Sequence, residues 1–223
     1  MRFLISTKLI KDIENFSKAL KRYNIKNIEL HYKDSKQKDV KKTHGLSIIS
    51  IKGDAKNYKY LLFLAQSLGC EYVYFSFKRG ELKKLRTILN ESEKLKVTVA
   101  IENNEYIGRT ASEMYTVLKS FDNLKFVFNT ANAKKYNKSI TGFVKMLKDY
   151  IVGVNISDSY KGISNLPYSL GKTKYMDDAL FELKDMNIPF MVDLNERYGI
   201  DDFFISIEKI NQRLKRLRVE KVR

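Results

Sequence analysis

Short apolar runs alternate with amphipathic segments along most of this 223-residue chain. The first apolar run, Arg2–Ser6, reads RFLIS. In the segment that follows, apolar residues recur at steps of three and four: Ile13, Phe16, Leu20 and Tyr23. That spacing puts the apolar side chains on one face of a helix. The chain therefore begins with a predicted strand followed by a predicted amphipathic helix.

The same alternation continues and predicts eight strands, nearly all of them followed by a helix. The predicted strands are Arg2–Ser6, Ile25–Tyr32, His44–Ile51, Glu71–Phe77, Lys96–Glu102, Leu124–Phe128, Ile151–Ile156 and Pro189–Leu194. The predicted helices cover about 9–23, 54–68, 81–93, 110–119, 139–150 and 175–186, and a last one begins near 201.

Strands that alternate with helices at this spacing are typical of parallel β-α-β units. Eight such units close most simply into a (β/α)8 barrel, and a doubly wound open sheet is the alternative. The polar segment 34–42 predicts a connector or a reduced second helix. Because no linker or low-complexity tract interrupts the pattern, we expect one α/β domain with short loops over residues 1–223.

Composition narrows the class of protein. No apolar run reaches the 18 or more residues that a membrane-spanning helix needs, and the amino terminus lacks the pattern of a signal peptide. Cys70 is the single cysteine, so we expect a cytoplasmic, reducing environment. A charged content of 30% with one cysteine also suits a protein from a thermophile.

The chain is strongly basic. It has 42 Lys and Arg against 26 Asp and Glu, which gives a net charge of +16. Such an excess favours phosphorylated ligands or nucleic acid, and an evenly solvated, lysine-rich surface is the alternative. The last helix carries the densest basic run, with Arg213, Lys215, Arg216 and Arg218 as candidate nucleic-acid contacts. Basic residues near a helix carboxyl terminus also complement its dipole.

Polar residues stand where the predicted strands end. Active sites of (β/α)8 barrels lie at the carboxyl ends of the strands, so these residues form a candidate pocket. Ordinary strand-end and helix-cap chemistry is the alternative for each of them taken singly. The candidates are Glu29, Ser76, Glu102, Asn104, Asn129, Asn132, Asn155, Asp158 and Asp193.

Four segments resemble motifs of one superfamily, in the same order along the chain. They are VAIENN (99–104), FVFNTANA (126–133), VNISDS (154–159) and LGKTKYMDDAL (170–180). Together they resemble the xylose-isomerase-like barrels, which include sugar isomerases and epimerases and the endonuclease IV repair nucleases.

The resemblance implies a divalent-metal site whose four ligand positions map to Glu102, Asn129, Asn155 and Asp193. Only Glu102 and Asp193 carry the carboxylates of the pattern, and Asn132 stands where the nucleases have a further histidine. Neutral amides are weak ligands for Mn²⁺ or Zn²⁺. We therefore expect a largely lost metal site, with no cofactor or a weakly bound Mg²⁺ or Mn²⁺.

The function predicted from the resemblance is that of a diverged sugar isomerase or epimerase, which binds a small polar or phosphorylated ligand. Glu102 and Asp193 are the candidate proton-transfer groups. One alternative is a weakly metal-dependent isomerase that uses these two carboxylates. Lys172 or Lys78 is expected to supply positive charge in place of the metal.

A nucleic-acid-binding barrel is the other alternative. The trinuclear zinc chemistry of the nucleases is excluded, because the chain has only two histidines, His31 and His44, and neither lies at the required positions. The sequence does not indicate whether the protein is a monomer or an oligomer.

Overall fold

The computed structural model describes residues 2–7, 18, 20–31, 46–136, 139–161, 163–171, 174–195 and 197–220. Most of the first predicted helix, the polar segment 34–42 and Lys172 lie outside the described residues. Within them, no helix has the length and apolar character needed to span a membrane.

Eight parallel strands close into a barrel. Its hydrogen-bonded neighbours run in the order β1-β2-β3-β4-β5-β6-β7-β10, and β10 pairs with β1. The predicted (β/α)8 barrel is confirmed, and the open sheet is excluded. The strands are β1 (Arg2–Ser6), β2 (Asn27–His31), β3 (Ser47–Gly53), β4 (Tyr72–Phe75), β5 (Val99–Glu102), β6 (Leu124–Asn129), β7 (Ile151–Ile156) and β10 (Pro189–Val192).

Helices follow most of the described strands, close to the predicted positions. Helix α1 ends at Gly69, which has a φ of 65° and caps the last turn. Helix α3 begins after Thr110, whose side chain accepts a hydrogen bond from the Glu113 amide. The helices are α1 (Tyr58–Leu68), α2 (Leu85–Leu95), α3 (Ala111–Lys119), α4 (Thr130–Lys135), α5 (Ile140–Leu147), α6 (Lys174–Leu183) and α7 (Ile200–Glu220).

Three short elements were not predicted. Helix α4 directly follows β6, and an antiparallel hairpin, β8 (Asp158–Tyr160) with β9 (Ile163–Leu166), directly follows β7. Each is too short to show a period of 3.6 or 2 in the sequence. All three elements follow strand ends, so they build part of the surface around the carboxyl end of the barrel.

The barrel interior holds its own apolar cluster, distinct from the larger core between strands and helices. Successive side chains of a strand point to opposite faces, so a residue two positions farther along points inward again. Towards the carboxyl end, the inward positions become polar: Ala100 is followed by Glu102, Val127 by Asn129 and Met191 by Asp193. The interior cluster contains Leu4, Ile49, Tyr72, Tyr74, Ala100, Val127 and Met191.

Gly153 in β7 makes room for a large side chain inside the barrel. A Cβ atom placed at Gly153 would lie 2.3 Å from the Tyr72 hydroxyl oxygen and 3.0 Å from Cζ of the same ring. Tyr72 is buried in the interior cluster. The absence of a side chain at position 153 therefore lets the tyrosine cross the barrel.

We expect Gly153→Ala to lower the free energy of unfolding by about 1–3 kcal/mol, because the added methyl group overpacks the interior. Tyr72→Phe removes the nearest atom, so the two substitutions together should cost less than the sum of their separate effects. Urea unfolding of the four proteins measures this coupling. Strict additivity would contradict the proposed contact.

Candidate functional site

Glu102 lies at the centre of a buried polar network at the carboxyl end of the barrel. Its side chain is buried and accepts hydrogen bonds from four donors. Asn129 Nδ2 donates to Oε1 at 2.9 Å, Asn155 Nδ2 donates to the same oxygen, and the Ser76 hydroxyl donates to Oε2. The fourth donor is Lys52 Nζ, 3.3 Å from Oε1. Strands β3 to β7 thus meet at one carboxylate.

Lys52 joins this network to Asp193. Its Nζ lies 3.7 Å from Asp193 Oδ2, and the two carboxylate side chains are only 3% and 5% exposed. Burial of Lys52 disfavours its charged form, but the nearby carboxylates of Glu102, Asp193 and Glu29 outweigh that effect. The pKa of Lys52 is therefore raised, and the side chain is an ammonium at neutral pH.

Tyr74 connects Glu29 to the same network. The Tyr74 hydroxyl donates to Glu29 Oε2 at 2.6 Å and accepts a bond of 3.3 Å from Asn155 Nδ2. Burial and the neighbouring carboxylates raise the pKa of this phenol well above its usual value, so it remains a donor. The Lys52 ammonium also lies 5.4 Å from the centre of the Tyr74 ring, within cation–π range.

The unpredicted hairpin closes the network on the side of Asp193. Asn165 in β9 donates from Nδ2 to Asp193 Oδ2 at 3.2 Å, and its backbone carbonyl accepts from the Asn195 amide at 2.8 Å. Asn165 has a φ of 60°, a left-handed conformation that asparagine tolerates better than most residues. The hairpin therefore orients the Asp193 carboxylate.

Asparagine side chains also hold the strand ends through bonds to the backbone. Asn103 Nδ2 donates to the backbone carbonyl of Asn129, and Asn103 Oδ1 accepts from the backbone N–H of Asn129 at 2.7 Å. Asn129 Oδ1 accepts from the backbone N–H of Asn132 and thereby caps α4. Asn132 Nδ2 donates to the backbone carbonyl of Asn103. Asn104 donates to the Phe77 carbonyl and holds the following turn. Asn132 and Asn104 thus make structural contacts with the backbone.

Asp158 is also bound to backbone groups. It is fully buried, and its two carboxylate oxygens accept from the amides of Ser159 and Gly171. These bonds tie the start of the hairpin to the loop before α6. The predicted ligand-binding residue Lys172 follows this loop and lies outside the described residues.

The sequence interpretation missed the cation of the site. It expected Lys78 or Lys172 to supply positive charge. The Lys78 side chain is 62% exposed, and its Nζ lies 4.0 Å from Asp54, not in the network. The sequence feature that could have indicated Lys52 is its position two residues after Ser50, in a strand whose other side chains are mostly apolar. Tyr74 and Asn165 gave no comparable signal.

The described basic side chains of α7 have different surroundings. Arg213 pairs with Asp177 at 2.8 Å, whereas Lys215 lines a cavity of about 830 Å³ at the amino-terminal end of the barrel, with Arg22 and Lys26. Arg216 is exposed, and the side chain of Arg218 lies outside the described residues. Nucleic-acid binding stays a prediction.

The fold matches known structures. A xylose isomerase domain protein from Planctomyces limnophilus aligns with a TM-score of 0.74 at 11% identity, over 97% of both chains. An L-ribulose 3-epimerase aligns at 0.70 and 13%, over 98% of this chain and 96% of that one. This chain has the xylose-isomerase-like barrel fold. The resemblance of the motifs is confirmed at that level, and neither a family model nor a curated protein matches the sequence.

A structure with a bound metal is among the solved structures that match this fold. The IolI protein with a bound zinc atom aligns with a TM-score of 0.67 at 15% identity, over 99% of this chain and 97% of that one. In the present chain, the described residues include no group of three or more His, Cys, Asp and Glu placed to hold an ion. The Lys52 ammonium lies within 4 Å of both Glu102 and Asp193, and it would repel a cation placed between them. These residues do not fit a divalent metal.

We expect Asn155→Asp to lower the free energy of unfolding by about 3 kcal/mol at neutral pH, because it replaces a donor to buried Glu102 by a second negative charge. The deficit should shrink as the pH falls and a protonated carboxyl again donates. Chemical unfolding across pH measures both effects.

Asn123→Asp is the matched control for that substitution. Asn123 Nδ2 also donates to a carboxylate, that of Glu93, but this pair is exposed to solvent. Water screens exposed charges, so the cost should stay within about 0.5 kcal/mol. Equal costs at positions 155 and 123 would show that the network at Glu102 is not the buried site described above.

Proposed function

We propose that this protein is a diverged relative of the sugar isomerases and epimerases that binds a small polar or phosphorylated ligand at the carboxyl-terminal mouth of its barrel. The divalent-metal site implied by the motifs is largely lost in this proposal. One observation carries it: charged, amide and hydroxyl side chains from seven strands meet in a single network at the mouth. Its members are Glu29, Lys52, Tyr74, Ser76, Glu102, Asn129, Asn155 and Asp193.

The exposure of the network supports a ligand that carries oxygen atoms. The Lys52 side chain is 19% exposed, whereas the carboxylates beside it are almost fully buried. Of these three side chains, Lys52 is therefore the most accessible to a ligand. An ammonium donates to hydroxyl, carbonyl, carboxylate and phosphate oxygens, which are the groups that sugars and sugar phosphates present.

The carboxylates differ in their suitability for proton transfer. Glu102 already accepts four hydrogen bonds, three of them at Oε1, and these bonds stabilise its ionised form. Asp193 is held by Asn165 and by Lys52, whose side chain is partly exposed. If the protein is an isomerase, Asp193 is the better base and Glu102 a fixed negative charge.

Solved structures with this fold supply the first ligands to test. They include a D-psicose 3-epimerase with D-tagatose, a D-allulose 3-epimerase in complex with D-allulose, and an L-ribulose 3-epimerase. What those proteins bind is proposed here for the present chain at the level of the chemical class only.

We expect at least one of D-tagatose, D-allulose, L-ribulose and their phosphate esters to raise the melting temperature. A ligand at 100 times its Kd stabilises the folded state by about 2.7 kcal/mol, which corresponds to about 5–10 °C for a chain of this size. Thermal unfolding measures binding. Deuterium uptake from D2O at the carbon next to the carbonyl reports proton transfer.

Asp193→Asn should abolish the shift, whereas Asp185→Asn should keep it. Asp185 also has a lysine neighbour, but its side chain is 79% exposed and lies outside the network. A panel without any thermal shift, or a shift that survives Asp193→Asn, would contradict the proposed site.

A further inference from the structure

We infer that the Lys52 ammonium takes the place of the metal ion and serves as a metal-free positive centre for an oxygen of the ligand. This inference deepens the proposed function and rests on it for the nature of the ligand. The claim about the metal stands on the geometry of the described residues alone.

The position of Lys52 supports this role. It is the second-last residue of β3, so its side chain starts from a rigid strand at the carboxyl end of the barrel. Its Nζ lies 3.3 Å from Glu102 and 3.7 Å from Asp193, and the ring of Tyr74 lies beside it. An ammonium surrounded by carboxylates and an aromatic face is held in place much as a bound cation would be.

The amides around Glu102 fit a lysine better than a metal. Asn129 and Asn155 both direct their NH₂ groups at the carboxylate. Asn129 Oδ1 is already used as the cap of α4. Both NH₂ groups thus help to neutralise the carboxylate that the ammonium contacts, and the Asn129 oxygen is engaged by the backbone rather than offered to a cation.

The surroundings of Lys52 assign it an electrostatic role. Its Nζ lies within 4 Å of the carboxylates of both Glu102 and Asp193, which favour an ammonium over a neutral amine. It acts through its positive charge and its hydrogen-bond donors, on a carbonyl, carboxylate or phosphate oxygen of the ligand.

Metal titrations of the wild type and of Lys52→Ala test the inference. The wild-type protein, purified without chelator, should contain less than about a tenth of an ion per chain by elemental analysis. EDTA, Mn²⁺ and Zn²⁺ should leave its melting temperature unchanged. Lys52→Ala leaves Glu102 and Asp193 without the ammonium, so this variant should be stabilised by Mn²⁺ or Zn²⁺ and bind about one ion per chain.

Two further variants make the result specific. Lys52→Ala combined with Glu102→Gln should lose the gained ion. Lys94→Ala should gain none, although it too removes a lysine from a carboxylate, because the pair of Lys94 and Glu91 lies at the surface. Stoichiometric Mn²⁺ or Zn²⁺ in the wild type, lost in Glu102→Gln, would overturn the inference even if the Lys52 variants fail to fold.

The outcome is separate from that of the proposed function. A metal-free wild type that binds none of the tested sugars would contradict the ligand class and leave the metal-free centre standing. A wild type that binds a sugar only after it is loaded with Mn²⁺ would overturn the role of Lys52 and keep the ligand class.

Discussion

The contact of one ammonium with two buried carboxylates organises the mouth of this barrel. Lys52 from β3 reaches Glu102 at the end of β5 and Asp193 after β10, and so connects opposite parts of the closed sheet. Buried carboxylates are costly unless they are paired and hydrogen-bonded. The surrounding hydroxyls and amides meet that requirement, which explains why so many polar side chains converge at this level of the barrel.

The amides at the strand ends have two distinct tasks. Asn155 and Asn129 donate to Glu102, whereas Asn103 and Asn132 join the ends of β5 and β6 through backbone groups. Asn129 does both, because its oxygen caps α4 while its nitrogen faces the carboxylate. The motif implies an acidic residue where Asn129 stands. Replacing a divalent ion by an ammonium removes one positive charge from the site. Replacing an acidic residue by an amide at position 129 removes one negative charge.

Much of the fold followed from pattern alone, because strands and helices of ordinary length carry clear periods. The sequence interpretation also placed Glu102, Asn129, Asn155 and Asp193 at one mouth, since parallel strands end on the same side of a barrel. Lys52 was missed because it belongs to no motif, and only the pairing of β1 with β10 that closes the barrel brings β10 within reach of β3. Asn165 was missed because its hairpin is too short to show a period.

Anomalous diffraction from wild-type crystals soaked in Mn²⁺ is the most direct test of the lysine-centred site. The account predicts no anomalous peak between Glu102 and Asp193, and continuous density for the Lys52 side chain with Nζ within hydrogen-bond or ion-pair distance of both. A strong anomalous peak at that point, with Lys52 displaced towards solvent, would contradict it.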